Sequence, residues 1–397
     1  MEQYKKIKLK PKKERSLKRF HPWVFSGAIA SLSDSIKEGE VVSVYAHDNT
    51  FLGVGHYQIG SIAVRILSFN KREINVRFFE EHIEKAYQMR QAIGLIRPDN
   101  TTYRLVHGEG DLLAGLIIDV YGTLTVVQTH SVGMHLSKDI IAVALKKVLG
   151  QSIEHIYYKS EGTLPYKAPI NPFDSFLLGG KRDLTKVVLE NNLKFYIDWE
   201  KGQKTGFFID QRQNRSLLEA YANKRTVLNM FCYTGAFSVY AMRGGSRKVL
   251  GVDSSAKAVM LANKNVKLNF GDDERYTGLA EDAFKFLTEM PQDAYDLIIL
   301  DPPAFARHRG AVRNALQGYK KLNTLAFEKI AEGGIVFTFS CSQIITPTQF
   351  RLAVFSAAAI SGRSVKILHQ LSQPADHPIN IYHPEGEYLK GLVLQVV

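Results

Sequence analysis

Four side chains in this 397-residue chain stand where chemistry can begin: Asp253, Asp282, Asp301 and Cys341. Each follows a short apolar stretch. Lys248-Val249-Leu250-Gly251-Val252 runs into Asp253, a strand-like stretch precedes Glu281-Asp282-Ala283, residues 295–300 lead to Asp301, and residues 334–339 lead to Ser340-Cys341-Ser342. Runs of this length rich in β-branched and aromatic residues read as buried strands. In an open α/β sheet ligands bind outside the carboxyl ends of the strands. Three carboxylates and one thiol on one sheet edge therefore read as a site. Cys341 has a plain structural reading as a small buried apolar residue. Its chemical reading is a thiolate that adds to C6 of a pyrimidine, making C5 an enamine-like carbon able to take a methyl group from a sulfonium. That addition needs charge relieved at N3 or O2. Asp301 can do this, because Pro302 and Pro303 fix the backbone beside it, and Phe305 can offer a stacking face. The prolines also serve simply to end a strand. An exocyclic amine would need no covalent help, so Cys341 separates two chemistries that the residues leave open. Cys232 reads as packing beside the turn described next.

The element that must position these groups is residues 225–253. Thr226, Val227 and Leu228 read as a strand, Phe231-Cys232-Tyr233-Thr234-Gly235-Ala236 as a turn, and Phe237, Val239, Tyr240 and Met242 as a helix face ending at Gly244-Gly245. A second strand then ends in Asp253. A strand–turn–helix–strand unit with an acid about 20 residues after its glycine turn is the geometry of a nucleoside-binding half. A pyrophosphate wants three closely spaced glycines. This turn offers only Gly235, which suits an adenosine ligand without phosphates, such as S-adenosylmethionine. A βαβ unit without cofactor is equally compatible with the turn alone.

The length allows two or three domains. A formal net charge of +12 favours an anionic partner, nucleic acid foremost, over basic surfaces facing only water. Two cysteines are too few for a disulfide framework or a cysteine zinc site. No apolar run reaches about 18 residues, and no apolar signal core follows the basic N-terminus, so a cytoplasmic protein without membrane contact is expected. Charge concentrates at the start, where Lys5, Lys6, Lys8, Lys10, Lys12, Lys13, Arg15, Lys18 and Arg19 face only Glu2 and Glu14. Alternating stretches at residues 40–45, 51–57 and 62–67 then predict a compact β-barrel over residues 1–75. Residues 76–190 read as an α+β section, with a loop or linker at 171–180. Residues 191–397 alternate strands and helices as a doubly wound, Rossmann-like domain.

His21-Pro22-Trp23-Val24-Phe25-Ser26-Gly27, Gly202-Gln203-Lys204-Thr205-Gly206, Asp210-Gln211-Arg212, Tyr233-Thr234-Gly235, Asp301-Pro302-Pro303, Thr338-Phe339-Ser340-Cys341-Ser342 and Ala375-Asp376-His377-Pro378 follow one another in a familiar order. With them the chain resembles, over essentially its whole length, the ribosomal RNA large subunit methyltransferase I family. The resemblance implies an N-terminal PUA RNA-binding domain, a central α+β domain and a class I S-adenosylmethionine-dependent methyltransferase domain. It implies cytosine-C5 methylation of 23S rRNA, with the target base flipped into the site. Cys341 would be the covalent nucleophile and Asp301 the acid contacting the base. The cofactor would lie among Gln211, Asn229, Phe231, Tyr233, Gly235, Asp253, Ser254, Asp282 and Ala283, and no metal is implied. Ala304 departs from the family, which commonly has a lysine there. Three rivals stand beside this reading: amine methylation on guanine or adenine, a non-catalytic ribosome-assembly factor, and a small-molecule methyltransferase. A sheet edge or the PUA surface offers a route to a homodimer.

Overall fold

Lysines alternate with Ile7 and Leu9 in β1 (Lys5–Leu9), and strand geometry sends successive side chains to opposite faces, so both apolar residues are fully buried. The computed structural model describes residues 4–165, 170, 173–181, 184, 187–306 and 308–397. Five further strands follow: β2 (Trp23–Phe25), β3 (Ile29–Leu32), β4 (Val41–Tyr45), β5 (Phe51–Tyr57) and β6 (Ile62–Ser68). They form a sheet in the order β2-β6-β5-β4-β1-β3. Ile7, Leu9, Val24, Val42, Val44, Val64 and Ile66 make its core.

Helix α1 (Val76–Ala92) is started by Asn75, whose side chain accepts the Phe78 N–H at 3.1 Å. Its Phe78, Phe79, Ile83 and Ala86 are buried in a core shared with a second sheet. That sheet has the order β11-β10-β9-β8-β7, built from β7 (Thr102–His107), β8 (Leu116–Tyr121), β9 (Leu124–Thr129), β10 (His155–Tyr158) and β11 (Ser175–Leu178). The short α2 (Val132–Leu136) and α3 (Lys138–Leu149) lie between β9 and β10. The stretch expected to be a loop or linker at 171–180 thus contains a strand, which pairs antiparallel with β10 and covers its open edge. Asn171 and Pro172 of that stretch lie outside the described residues.

Two compact units result. The first comprises Met1–Leu189, Ile197–Ile209 and Ala375–Gly386, and the second Glu190–Tyr196, Asp210–Pro374 and Glu387–Val397. The late segment joins the first unit through charge. Arg90, fully buried, donates to Asp111 at 2.5 and 2.8 Å and to the Asp376 carbonyl at 2.8 Å, and Asp376 Oδ2 accepts the Arg104 N–H at 3.1 Å. Strands β12 (Val187–Glu190) and β13 (Leu193–Tyr196) carry the chain from one unit into the other.

The second unit is a seven-stranded sheet flanked by helices. In chain order it contains α4 (Arg212–Tyr221), β14 (Thr226–Met230), α5 (Ala236–Arg243), β15 (Lys248–Asp253), α6 (Ala256–Phe270), β16 (Tyr276–Ala280), α7 (Ala283–Glu289), β17 (Leu297–Leu300), α8 (Val312–Lys329), β18 (Gly334–Ser340), α9 (Pro347–Ser361), β19 (Val365–Ser372) and β20 (Lys390–Val396). The strand order is β16-β15-β14-β17-β18-β20-β19. The first five are mutually parallel, and β20 runs antiparallel to both its neighbours. From β14 the chain moves to β15 on one side and later returns to β17 on the other. The end of β14 is therefore a topological switch point, where such sheets open a crevice. Leu228, Met230, Ile298, Leu300, Val336, Tyr319, Phe327 and Phe350 anchor the core beneath it. Among the described residues no helix is long and apolar enough to cross a membrane.

Candidate active site

The turn after β14 is held in a conformation that side chains ordinarily avoid. Phe231 has φ 58°, Tyr233 φ 46° and Gly235 φ 76°. Bulky residues in the left-handed region are uncommon, and such strain tends to collect at ligand-binding turns. Here hydrogen bonds hold it. Cys232 N–H continues the ladder to the Val252 carbonyl at 3.0 Å, Gly235 N–H closes the turn on the Cys232 carbonyl at 2.8 Å, and Asn265 Nδ2 donates to the Thr234 carbonyl at 2.8 Å. Gly235 then starts α5. A Cβ on it would lie 2.7 Å from the Cβ of Ala262 on α6, so the turn approaches that helix more closely than a side chain permits.

Asp253, at the end of β15, faces this turn. Its Oδ2 accepts the Tyr233 N–H at 2.9 Å and its Oδ1 accepts the Ser255 N–H at 2.9 Å. Both oxygens are oriented by backbone and keep a lone pair each for further donors, such as a ribose diol. Asn229, buried within β14, donates to Ser238 Oγ at 2.9 Å, while its Oδ1 is buried with no hydrogen-bond partner among the described residues. A buried acceptor left open beside a strained turn fits a polar ligand. Glu281 N–H donates to the Asp253 carbonyl at 3.1 Å, which brings the end of β16 alongside. There Asp282 is exposed and caps α7 through the Lys285 N–H at 2.8 Å, Ala283 is buried, and Ser254 is exposed. Phe231 packs half-buried against the core. These residues fit the adenosine and amino-acid parts of S-adenosylmethionine. Cys232 is buried, and burial together with the Asp253 charge pushes its thiol up, away from reactivity.

Across the switch point, β17 ends in Asp301 and β18 ends beside Cys341. Cys341 Sγ is 3.8 Å from the Pro302 carbonyl oxygen, so the thiol borders the loop that Asp301 begins. That loop is clamped to the cysteine loop through Ser342 Oγ, which accepts the Ala306 N–H at 3.3 Å and lies 3.2 Å from the Tyr319 hydroxyl; Ser340 Oγ donates to the same hydroxyl at 2.9 Å. Gln211, buried at the start of α4, accepts from Asn214 Nδ2 at 2.6 Å and donates to the Asp301 carboxylate. Asp301 is enclosed by protein on most sides while keeping part of its surface open. Burial pushes its pKa up to about 7, and the neighbouring Asp210 charge adds to the rise. Phe305 is tilted onto the Tyr319 ring at 4.7 Å, and Gly318 on α8 leaves room for it there.

Two contributors were not singled out from the sequence. Lys390, almost wholly buried at the start of β20, donates to the carbonyls of Ser342 and Ile345 at 2.6 Å each; burial lowers its pKa to about 8, and the Cys341 charge opposes that fall. Arg215 on α4 is buried against Glu190, at 2.9 and 2.7 Å, and its charge also reaches Asp301. A lysine opening an apolar strand was the available signal for the first. For the second nothing local distinguished the pair.

Comparison with known proteins agrees with this geometry. Residues 7–69 match the model of the PUA-like domain, and residues 172–389 match that of the S-adenosylmethionine-dependent methyltransferase. Ribosomal RNA large subunit methyltransferase I of Pseudoalteromonas atlantica is 38% identical over 397 residues, covering 99% of each chain. The protein of the same name from Aeromonas hydrophila is 38% identical over 390 residues, covering 96% of this chain and 97% of its own. Among solved structures, SMU.776 in complex with SAH superimposes with a TM-score of 0.85 at 25% identity, covering 98% of this chain and all of that one. The PUA-like and methyltransferase matches and the 38% identity over nearly the full length of these relatives converge: the chain belongs to the ribosomal RNA large subunit methyltransferase I family of S-adenosylmethionine-dependent methyltransferases.

Proposed function

We propose that this protein methylates C5 of a cytosine in 23S rRNA, with Cys341 as the nucleophile on C6 and Asp301 as the acid at the base edge. The observation that carries the reading is the approach of Cys341 Sγ to the Pro302 carbonyl at 3.8 Å, next to a carboxyl whose pKa is pushed up to about 7. A thiol and an acid that holds its proton near neutral pH thereby border one loop. Cytosine C5 is too poor a nucleophile to take a methyl group unaided. Attack of the Cys341 thiolate on C6 moves electron density to N3, where neutral Asp301 gives its proton and leaves C5 enamine-like. S-adenosylmethionine supplies an electrophilic sulfonium methyl when bound. We assign its binding to Gln211, Asn229, Phe231, Tyr233, Gly235, Asp253, Ser254, Asp282 and Ala283, with Asp253 receiving the ribose hydroxyls.

RNA capture is assigned to residues 1–75, ahead of a central section over 76–190 and the catalytic section over 191–397. Lys12, Arg15, Lys18 and Arg19, with Glu14, line an open concavity of about 530 Å³ in the first of these. The 38% identical relatives are named for large-subunit ribosomal RNA, which matches a cationic groove of this kind. The test is incubation with S-adenosylmethionine and rRNA containing 5-fluorocytosine, read on a denaturing gel. Fluorine at C5 blocks the final elimination, so an RNA adduct absent from Cys341→Ala is expected. Methyl transfer to ordinary RNA without any adduct would instead favour an exocyclic amine as acceptor.

A further inference from the structure

Cytosine-C5 methylation needs a base as well as an acid and a nucleophile. After methyl transfer C5 carries a hydrogen and a methyl group, Cys341 is bonded to C6, and the proton given by Asp301 sits on N3. Cys341 is then covalently engaged, and the Asp301 carboxylate is paired with the N3–H at the edge of the base rather than with C5. One other carboxylate is built into the same corner. Asp210 Oδ2 accepts the Tyr388 hydroxyl at 2.7 Å, which fixes the carboxylate plane. Its Oδ1 is buried with no hydrogen-bond partner among the described residues. The next residue, Gln211, donates to Asp301, and the Asp210 charge itself reaches that carboxyl. A buried carboxylate oxygen without a donor is costly unless something else uses it. Pairs of acids whose surroundings separate their protonation states often divide acid and base duties, and here the charge on Asp210 helps Asp301 to keep its proton.

We propose that Asp210 is the general base of the reaction; this rests on the cytosine-C5 reading. Its Oδ1 takes the C5 hydrogen as a proton, and the electron pair of that C–H bond becomes the C5–C6 double bond. The C6–Sγ bond breaks with its pair returning to Cys341 as thiolate, and the N3 proton passes back to Asp301. Tyr388 acts as a positioning residue for the base.

The experiment uses the full chain, S-adenosylmethionine and an unmodified 23S rRNA transcript. Asp210→Asn removes the basic oxygen and keeps the size of the side chain. It is expected to add and methylate but to release product about 10²–10⁴-fold more slowly. An RNA adduct should therefore accumulate on ordinary cytosine, without fluorine, and disappear in Asp210→Asn/Cys341→Ala. SAH affinity measured by calorimetry should stay within twofold of wild type, which also reports that the fold is intact. Tyr388→Phe, a milder change, should show the same adduct at a lower level. Release of methylated product from Asp210→Asn at the wild-type rate overturns the proposal. So does failure of that variant to form the adduct even with 5-fluorocytosine RNA, which would place Asp210 before the elimination step. Absence of a fluorocytosine adduct from the wild-type protein would refute the cytosine-C5 reading itself, and the base assignment with it.

Discussion

Gly235→Ala tests whether the strained turn is held by the helix behind it. The residue sits at φ 76°, where a Cβ costs about 1–2 kcal/mol on backbone grounds. The added methyl would meet Ala262 Cβ at 2.7 Å and Cα at 3.1 Å, and α6 is a regular helix that cannot retreat without moving its buried Val259 and Val266. Overpacking of this size costs about 1–3 kcal/mol. Destabilisation of about 2–5 kcal/mol is therefore expected, measured as a fall in the urea midpoint at unchanged slope. The same shift pulls Tyr233 N–H from Asp253, so SAH affinity in calorimetry should fall about tenfold or more, equivalent to about 1.4 kcal/mol. Ala262→Gly separates the two causes. In the double variant the overlap is relieved while the unfavourable φ persists, so a coupling energy of about 1–3 kcal/mol should appear in the cycle. Additive losses would refute the argument that Ala262 is what excludes a side chain.

Asp301 and Lys390 give two more expectations. Because the folded carboxyl titrates at about 7 rather than 3.8, the native state holds a proton that the unfolded chain has released, so stability from this group falls as pH rises from about 4 to about 7 and is level above. Asp301→Asn removes that slope, so the variant should gain on wild type across this window, by at most about 4 kcal/mol, in urea titrations at stepped pH. A gap that widens toward acid would contradict the assignment. Lys390→Met removes both bonds to the Ser342 and Ile345 carbonyls and frees the loop carrying Cys341. The rate of fluorocytosine adduct formation should drop about tenfold or more with SAH affinity unchanged, and equal losses in both would mean a general loss of fold.

Much of the second unit was legible because its strands are buried on both faces and bounded by acids and turns. Residues 226–228, 248–252, 295–300 and 334–339 read as strands and lie in β14, β15, β17 and β18 with little shift. In the first unit, β4, β5 and β6 alternate plainly, whereas β1 was masked by its lysines. The spacing of two between Ile7 and Leu9 is the strand signal there, but it spans too few residues to stand out from the charge around it. The strand at Ser175–Leu178 was hidden by Pro172 and the glycine pair around it, because turn residues outweighed a short apolar run. The membership of Ala375–Gly386 in the first unit was not legible at all. It depends on Asp376 meeting Arg90 and Arg104, some 270 to 290 residues earlier, and no local pattern encodes such a pairing. The left-handed backbone at Phe231 and Tyr233 was equally silent, since their residue types argue against it.

The site's late contributors follow from one topological fact. In a sheet of parallel strands only carboxyl ends reach the ligand edge, so residues that precede a strand are carried to the opposite side. Strand β20 breaks this rule because it runs antiparallel to β18, pairing Lys390 with Ser340 and Val396 with Gly334. Its beginning therefore arrives where β18 ends. Lys390 meets the Cys341 loop at that point, and Tyr388, two residues earlier, reaches Asp210. A parallel strand in the same place would deliver Val396 and Val397 instead, with nothing to hold a carbonyl or orient a carboxylate. The functional value of the last strand lies in its direction, and substitutions at Tyr388 and Lys390 should alter turnover where equally buried changes near Val396 alter only stability.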